Sequence, residues 1–211
     1  MNRFFVFLLM VFFANSLFAQ QEDFIMLDNP EILKAGVNKT SNGTSSIHAE
    51  FVQEKYMDIL ENAITSEGSF VFKRPNKLKW EYNKPFKYLI VLNGSKMKIK
   101  DEEKTNTINL ESSRFFQEIN NIIINSVQGN LFDNTEFEIK YFQSSSNYMA
   151  KFFTKNANMK EIIDCIEVVF DKSDFDVKKI KLLEPTGDYT SIKFTQRILN
   201  KPVDDNTFLI N

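Results

Sequence analysis

The sequence is poor in the side chains that most enzymes use for chemistry. It contains one histidine, His48, and one cysteine, Cys165, and two such residues cannot build a tetrahedral zinc site. No Gly-x-Ser-x-Gly motif supplies an activated nucleophile, and the six glycines form no loop that could cradle a phosphate. We therefore expect no catalytic residue, no metal and no cofactor, and a protein that binds a ligand without converting it.

Disulfides and strong charge are also missing. Because Cys165 is the only cysteine, no internal disulfide can form, and the fold must depend on its apolar core. Lys and Arg number 26 against 28 Asp and Glu, a formal net charge of −2, so we expect no nucleic-acid partner. Phenylalanine, in contrast, is abundant, with 22 residues among 211. This length and an apolar share of 43% predict one domain with a sizeable core.

The first 19 residues have the pattern of a signal peptide. Met1-Asn2-Arg3 gives a positive start, residues 4–14 are an uninterrupted apolar run, and residues 16–19 offer small side chains for cleavage. The apolar run is shorter than the roughly 20 residues that usually span a membrane. We expect residues 1–19 to be removed and residues 20–211 to form one exported domain, with an uncleaved membrane anchor as the alternative.

Beyond residue 46 the sequence is typical of short strands separated by turns. Apolar and polar side chains alternate with a period of two, and Asn93-Gly94 marks a hairpin. The predicted strands are 47–59, 63–74, 78–82, 86–92, 96–100, 105–110, 137–142, 148–154, 165–171, 177–183 and 189–199, with a short last piece at 207–210. Helices are predicted at 22–38 and 112–127. The predicted class is mainly β (α+β), an incomplete, strongly curved antiparallel β-barrel of about ten or eleven strands, with helices covering its concave, cavity-forming face.

Two of these strands carry informative side chains. In the strand 86–92, Leu89 and Val91 oppose Ile90, so both faces are apolar. Something must therefore cover each face, or one face lines a cavity. In the strand 189–199, strict alternation places Ile198 on the apolar face and Arg197 on the polar face.

An arginine on an apolar face distinguishes the segment 70–85. Phe70, Phe72 and Arg74 share one face of a strand, although Lys73 shows that the opposite face accepts charge. The following strand has an apolar face that includes Trp80, the only tryptophan. A simple interpretation of Arg74 is an edge residue whose guanidinium reaches water.

Residues 68–94, GSFVFKRPNKLKWEYNKPFKYLIVLNG, resemble the signature of the LolA family of lipoprotein carriers. The family pattern is an aromatic strand, Arg-Pro, a Trp-containing strand, a Pro, and a hydrophobic strand closed by a Gly turn. Phe51-Val52-Gln53 resembles the family's Phe-x-Gln strand, and residues 187–194 and 200–208 resemble its final stretch. The resemblance implies a helix-lidded cavity in a monomeric periplasmic protein. It implies acylated lipoproteins as cargo, an inner-membrane ABC transporter that supplies them, and an outer-membrane receptor where one exists.

The resemblance also implies roles for particular residues. In this family the Arg of Arg-Pro bonds to the lid helices and keeps the empty cavity closed, which assigns gating to Arg74 and Pro75. The expected acyl-chain lining is Phe51, Phe70, Phe72, Leu78, Trp80, Tyr82, Ile90, Met97 and Ile99. The expected lid helix contributes Phe115, Phe116, Ile119, Ile122 and Ile123.

The chain departs from the family pattern after the Gly turn. The family has an aromatic residue and an Asp in the next strand, whereas residues 95–101 read SKMKIKD, which keeps only Asp101. This departure leaves open a LolA-like or lipocalin-like protein that binds another lipid or hydrophobic small molecule. A lipocalin-like protein would have a rigid pocket and would not transfer its ligand to membranes.

Overall fold

The computed structural model of the protein describes residues 22–101, 104–109 and 131–209. Within these residues, twelve strands form one antiparallel sheet that is not closed into a barrel. The strands are β1 (Ile25–Met26), β2 (Ser46–Tyr56), β3 (Ile64–Lys73), β4 (Lys77–Lys84), β5 (Tyr88–Asn93), β6 (Lys96–Lys100), β7 (Thr105–Asn109), β8 (Phe137–Gln143), β9 (Asn147–Thr154), β10 (Cys165–Asp171), β11 (Val177–Leu183) and β12 (Tyr189–Leu199). The mainly β, incomplete-barrel prediction is confirmed, whereas the strand number of ten or eleven was too low, because the short strand β1 was predicted as helix.

The sheet consists of two halves that meet at the pair β12–β2. Its order is β1-β8-β9-β10-β11-β12-β2-β3-β4-β5-β6-β7, so most consecutive strands are neighbours, as short connections require. At the junction Phe194 of β12 lies opposite Phe51 of β2. The junction thereby places apolar side chains from both ends of the chain on one face of the sheet.

Helix α1 (Glu31–Asn42) covers part of this face. It begins after Pro30, later than predicted, because the preceding residues include the short strand β1. Leu33 and Val37 are fully buried against the strands β8–β11. Each such burial contributes about 1.5–3 kcal/mol, so α1 is held mainly by its apolar stripe. A one-turn helix, α2 (Ala157–Lys160), lies between β9 and β10.

The C-terminal segment covers the opposite face of the sheet at β5. Phe208, 2% exposed, packs with Val91 and partly buried Leu89. Lys73 Nζ lies 2.6 Å from Asp205 Oδ1 and donates to the carbonyl of Val203 at 2.9 Å. The predicted strand at 207–210 is wrong, since Asp205–Phe208 form a 3-10 turn. The turn explains why β5 is apolar on both faces.

Strand β12 contains a bulge that the sequence prediction missed. Thr195 pairs with Glu50 and Ile198 pairs with His48, which leaves Gln196 and Arg197 opposite a single residue. Gln196 adopts φ 51°, and the extra residue reverses the facing of the side chains that follow. Arg197 therefore points inward and Ile198 is 52% exposed, the reverse of the predicted arrangement.

Candidate ligand-binding site

The nine side chains predicted to line an apolar site lie together on the covered face of the sheet. Phe51, Phe70, Phe72, Leu78, Trp80 and Met97 are buried in one cluster, and Tyr82, Ile90 and Ile99 pack against it partly buried. Ring centroids of Phe51 and Trp80 are 4.5 Å apart, and those of Phe70 and Trp80 are 5.4 Å apart. The sheet thus brings the predicted residues together, while their contact with an acyl chain stays a prediction.

A cavity of about 60 Å³ lies between α1 and the sheet, and we call it the α1 cavity. Phe70 and Trp80 line it directly, whereas the other seven predicted residues belong to the same apolar cluster and do not line it. Its remaining walls are Val37, Thr40, Ser41, Thr44, Ile47, Ala49, Phe170, Phe175, Asp176, Val177, Ile180, Phe194 and Arg197. One water needs about 10–15 Å³ of such space, so the cavity as it stands holds only a small group.

Arg74 connects the sheet to the C-terminal end of α1. Its Nε donates to the carbonyl of Thr44 at 2.5 Å, and its Nη2 donates to the carbonyl of Ser41 at 2.6 Å. Carbonyls at a helix C-terminus lack intrahelical partners and carry partial negative charge, so a cation is stabilising there. Arg74 is half-buried, and Pro75 lies exposed in the turn that follows. The gating role of both residues stays a prediction.

Asn200 holds the same helix end from β12. Its side-chain amide donates to the carbonyl of Gly43 at 2.9 Å, and its Oδ1 accepts from the backbone N–H of Ser45 at 2.7 Å. Asn200 adopts φ 59°, a conformation that Asn tolerates better than most residues. Residues that directly follow β3 and β12, far apart in sequence, therefore bond to the backbone where α1 ends.

The loop between β10 and β11 contacts the middle of α1. A Cβ built on Gly36 would lie 2.3 Å from the ring of Phe175, so only glycine permits this approach. Thr40 Oγ donates to the carbonyl of Asp174 at 2.9 Å. Phe175 itself adopts φ 60°, which is unfavourable for a bulky residue. The loop thus gives α1 a second set of contacts, separate from those with Arg74.

Arg197 and Asp176 form an ion pair in the wall of the α1 cavity, and sequence reasoning missed it. Arg197 Nη2 lies 3.1 Å from Asp176 Oδ1, and the two side chains are 17% and 12% exposed. Burial raises the pKa of the Asp176 carboxyl and lowers the pKa of Arg197, while the charge of each favours ionisation of the other. No sequence motif marks the pair, because it depends on the β12 bulge.

Tyr82 places a partly buried hydroxyl beside the apolar cluster. Its Oη donates to Gln53 Oε1 at 2.9 Å, and burial raises the pKa of Tyr82. Gln53 belongs to the Phe-x-Gln strand, so this bond joins two of the sequence motifs.

Some predictions concern other parts of the chain. The lid residues Phe115, Phe116, Ile119, Ile122 and Ile123 and the signal segment 1–19 lie outside the described residues. Among residues 22–101, 104–109 and 131–209, no cluster of three metal-ligating side chains occurs. Within the same ranges, no helix has the length and apolarity needed to cross a membrane.

An open antiparallel sheet whose apolar face is partly covered by a helix, with a cavity between them, defines a β-sheet protein with an internal, mostly apolar site. The family described as "Outer membrane lipoprotein carrier protein LolA" matches residues 42–211. The chain belongs to this family, whose members are carriers and not enzymes.

Individual relatives agree with this assignment. An outer-membrane lipoprotein carrier protein of Legionella pneumophila (strain Lens) is 23% identical over 211 residues, covering 100% of this chain and 95% of that protein. The carrier of Cupriavidus pinatubonensis is 39% identical over 64 residues, 29% of this chain and 30% of that protein. An uncharacterized conserved protein from Thermus thermophilus shares the fold, with a TM-score of 0.52 at 9% identity over 84% of this chain and 90% of that chain.

Proposed function

We propose that this protein is a periplasmic carrier for lipoproteins. It is exported by the signal segment 1–19, binds the acyl chains of lipoproteins released from the inner membrane, and conveys them to the outer membrane as a monomer. An inner-membrane ABC transporter loads it, and an outer-membrane receptor, where one exists, unloads it. Family membership and the carrier names of its relatives support this proposal.

The single observation that carries the proposal is the connection between Arg74 and α1 over an apolar cavity. Two hydrogen bonds from a charged donor stabilise the closed state by about 1.5–3 kcal/mol each. Each acyl methylene that is buried contributes about 0.8 kcal/mol. Burial of roughly four to eight methylenes therefore offsets the loss of both bonds. An acyl chain can open the site, and a chain with too few methylenes cannot.

The same bonds favour release of the cargo. Because Arg74 stabilises the empty, closed state, it lowers the apparent affinity for any ligand that requires the open state. Replacing Arg74 with leucine removes this cost and leaves the apolar lining intact. We expect the variant to accept lipoprotein at least as well as the wild type and to hand it on less efficiently.

A two-step transfer assay tests the function. Spheroplasts containing labelled lipoprotein are incubated with wild type, Arg74→Leu or Lys73→Leu, and the soluble complexes are then mixed with outer-membrane vesicles. Lys73→Leu is the matched control, since Lys73 is adjacent but bonds Asp205 on the opposite face. Both steps are measured as the fraction of label recovered with each partner.

The two steps have separate outcomes. Wild type and Lys73→Leu should release and deliver lipoprotein, while Arg74→Leu should accumulate undelivered complex. If the wild type releases no lipoprotein from spheroplasts, the carrier function is wrong. If Arg74→Leu delivers as efficiently as the wild type, the carrier function stands and the gating role of Arg74 is wrong.

A further inference from the structure

Two backbone irregularities on neighbouring strands bring opposite charges into the α1 cavity. The β12 bulge turns Arg197 inward. Asp176 lies in the loop just before the adjacent strand β11. It directly follows Phe175, which has φ 60°. This loop is fixed by bonds from the N–H of Asp171 to the carbonyl of Asp176 at 3.0 Å and from the N–H of Asp176 to Asp174 Oδ1 at 2.9 Å. Bulges and strained backbone of this kind concentrate at functional sites.

The hydrogen bonding of the pair is incomplete. Arg197 Nη1 donates to the carbonyl of Val177 at 3.1 Å, and Nη2 contacts Asp176 in the ion pair. Arg197 Nε is buried and has no hydrogen-bond partner in the described part of the chain, and buried Asp176 Oδ1 accepts no hydrogen bond there, although it lies 3.1 Å from Arg197 Nη2 in the ion pair. One donor, Arg197 Nε, is thus unused, and Asp176 Oδ1 keeps capacity to accept a hydrogen bond beside its contact with Nη2.

Stability does not account for a charged pair at this place. Replacing a buried ion pair with apolar side chains of similar volume is often neutral or stabilising, and most of the surrounding wall is apolar, including Val37, Phe170 and Ile180. The hydroxyls of Thr40 and Thr44, which also line the cavity, already donate to the carbonyls of Asp174 and Thr40. Each of these hydroxyls has therefore used its donor. The ion pair is different, because it can still offer both a donor and an acceptor to a ligand.

The chemistry of the pair selects a particular head group. Together the two side chains carry no net charge, and they offer one N–H donor and one carboxylate acceptor. An amide or a hydroxyl group satisfies both, since each carries an acceptor and a donor. A free carboxylate offers acceptors only, so it cannot donate to Asp176 Oδ1 and is repelled by its charge.

From this arrangement we infer that Arg197 and Asp176 form a head-group subsite, which binds an uncharged group able to donate and accept hydrogen bonds when it is joined to an acyl chain. The subsite favours acyl amides over fatty acids of the same chain length. This inference rests on the proposed function, because it assumes that the acyl chain occupies the adjoining apolar site.

Competition between two matched ligands tests the subsite. Dodecanamide and dodecanoate displace N-phenyl-1-naphthylamine from the full-length mature protein at mildly alkaline pH, where the acid is ionised. The wild type should bind the amide about tenfold more tightly, the factor expected for one hydrogen bond to a charged group. Asp176→Asn leaves the positive charge of Arg197 without a negative partner, and this variant should bind dodecanoate more tightly than dodecanamide. The double variant Arg197→Met with Asp176→Leu should bind both ligands with equal affinity.

The outcomes separate this inference from the function on which it rests. Failure of both ligands to displace the dye from the wild type contradicts acyl-chain binding itself. Displacement by both ligands with equal affinity in the wild type, or a preference for dodecanoate, overturns the subsite alone. Far-UV circular dichroism and urea midpoints establish that each variant is folded, and the double variant keeps the test decisive if Asp176→Asn does not fold.

Discussion

The contact between Gly36 and Phe175 gives a sharp test of where α1 lies. Gly36→Ala adds a Cβ that would lie 2.3 Å from the Phe175 ring. The nearest ring atoms include Cγ, which is bonded to the Cβ of Phe175. The whole ring must therefore move, not only its tip. Gly43→Ala is the matched control, because its added Cβ would meet nothing closer than 3.6 Å and its φ of −79° suits alanine.

Two opposing contributions determine how much Gly36→Ala changes the free energy of unfolding. Alanine is preferred over glycine in a helix interior by about 1 kcal/mol, whereas overpacking of a filled site costs about 1–3 kcal/mol. Gly36→Ala should therefore lower the free energy of unfolding by up to about 2 kcal/mol in the wild type. In a protein that already carries Phe175→Ala, the clash is absent. Gly36→Ala should then raise the free energy of unfolding by about 1 kcal/mol. The resulting coupling energy is about 1–3 kcal/mol.

Urea unfolding of the four proteins in this cycle measures the coupling. The only tryptophan, Trp80, is 7% exposed and reports loss of the core by fluorescence, and far-UV circular dichroism provides a second probe. Gly43→Ala should be neutral or slightly stabilising. Should Gly36→Ala stabilise the protein equally with and without the Phe175 ring, α1 does not lie against this loop and the position of the α1 cavity is wrong.

Two further predictions concern the C-terminal turn and the buried ion pair. Phe208→Ala should cost about 3–5 kcal/mol by urea unfolding, while Phe86→Ala, at a side chain 74% exposed, should stay within about 0.5 kcal/mol of the wild type; equal effects would show that the turn is not packed. Because burial raises the folded-state pKa of Asp176 above the ordinary value of 3.8, the folded protein binds that proton more tightly than the unfolded chain. The wild type should gain stability relative to Asp176→Asn as pH falls towards that ordinary pKa and lose it as pH rises through the raised pKa, and a difference that is constant with pH would contradict this.

Local alternation was sufficient to predict the apolar face of the sheet. Phe70, Phe72 and Trp80 lie on the covered face because β3 and β4 pair without interruption through this region, and a regular strand places every second side chain on the same side. The sequence also indicated that Leu89 and Val91 need a cover. It could not identify Phe208 as that cover, since the contact joins distant parts of the chain.

The charged part of the site was beyond sequence reasoning. A single extra residue in β12 exchanges the facing of Arg197 and Ile198, and neither residue type signals a bulge. The left-handed conformation of Phe175 is likewise imposed by its surroundings, because its own preference opposes it. Arg74 was recognised only through the Arg-Pro resemblance, as an isolated strand does not show which carbonyls a guanidinium will reach.

The central claim is that this chain carries acylated lipoproteins in a site that Arg74 keeps closed when empty. Native mass spectrometry of the wild type and Arg74→Leu, purified gently from the periplasm, tests it most directly. The account predicts acylated lipoprotein on both proteins, with higher occupancy on Arg74→Leu. Free lipid or another small molecule in place of lipoprotein, or equal occupancy of the two proteins, would contradict it.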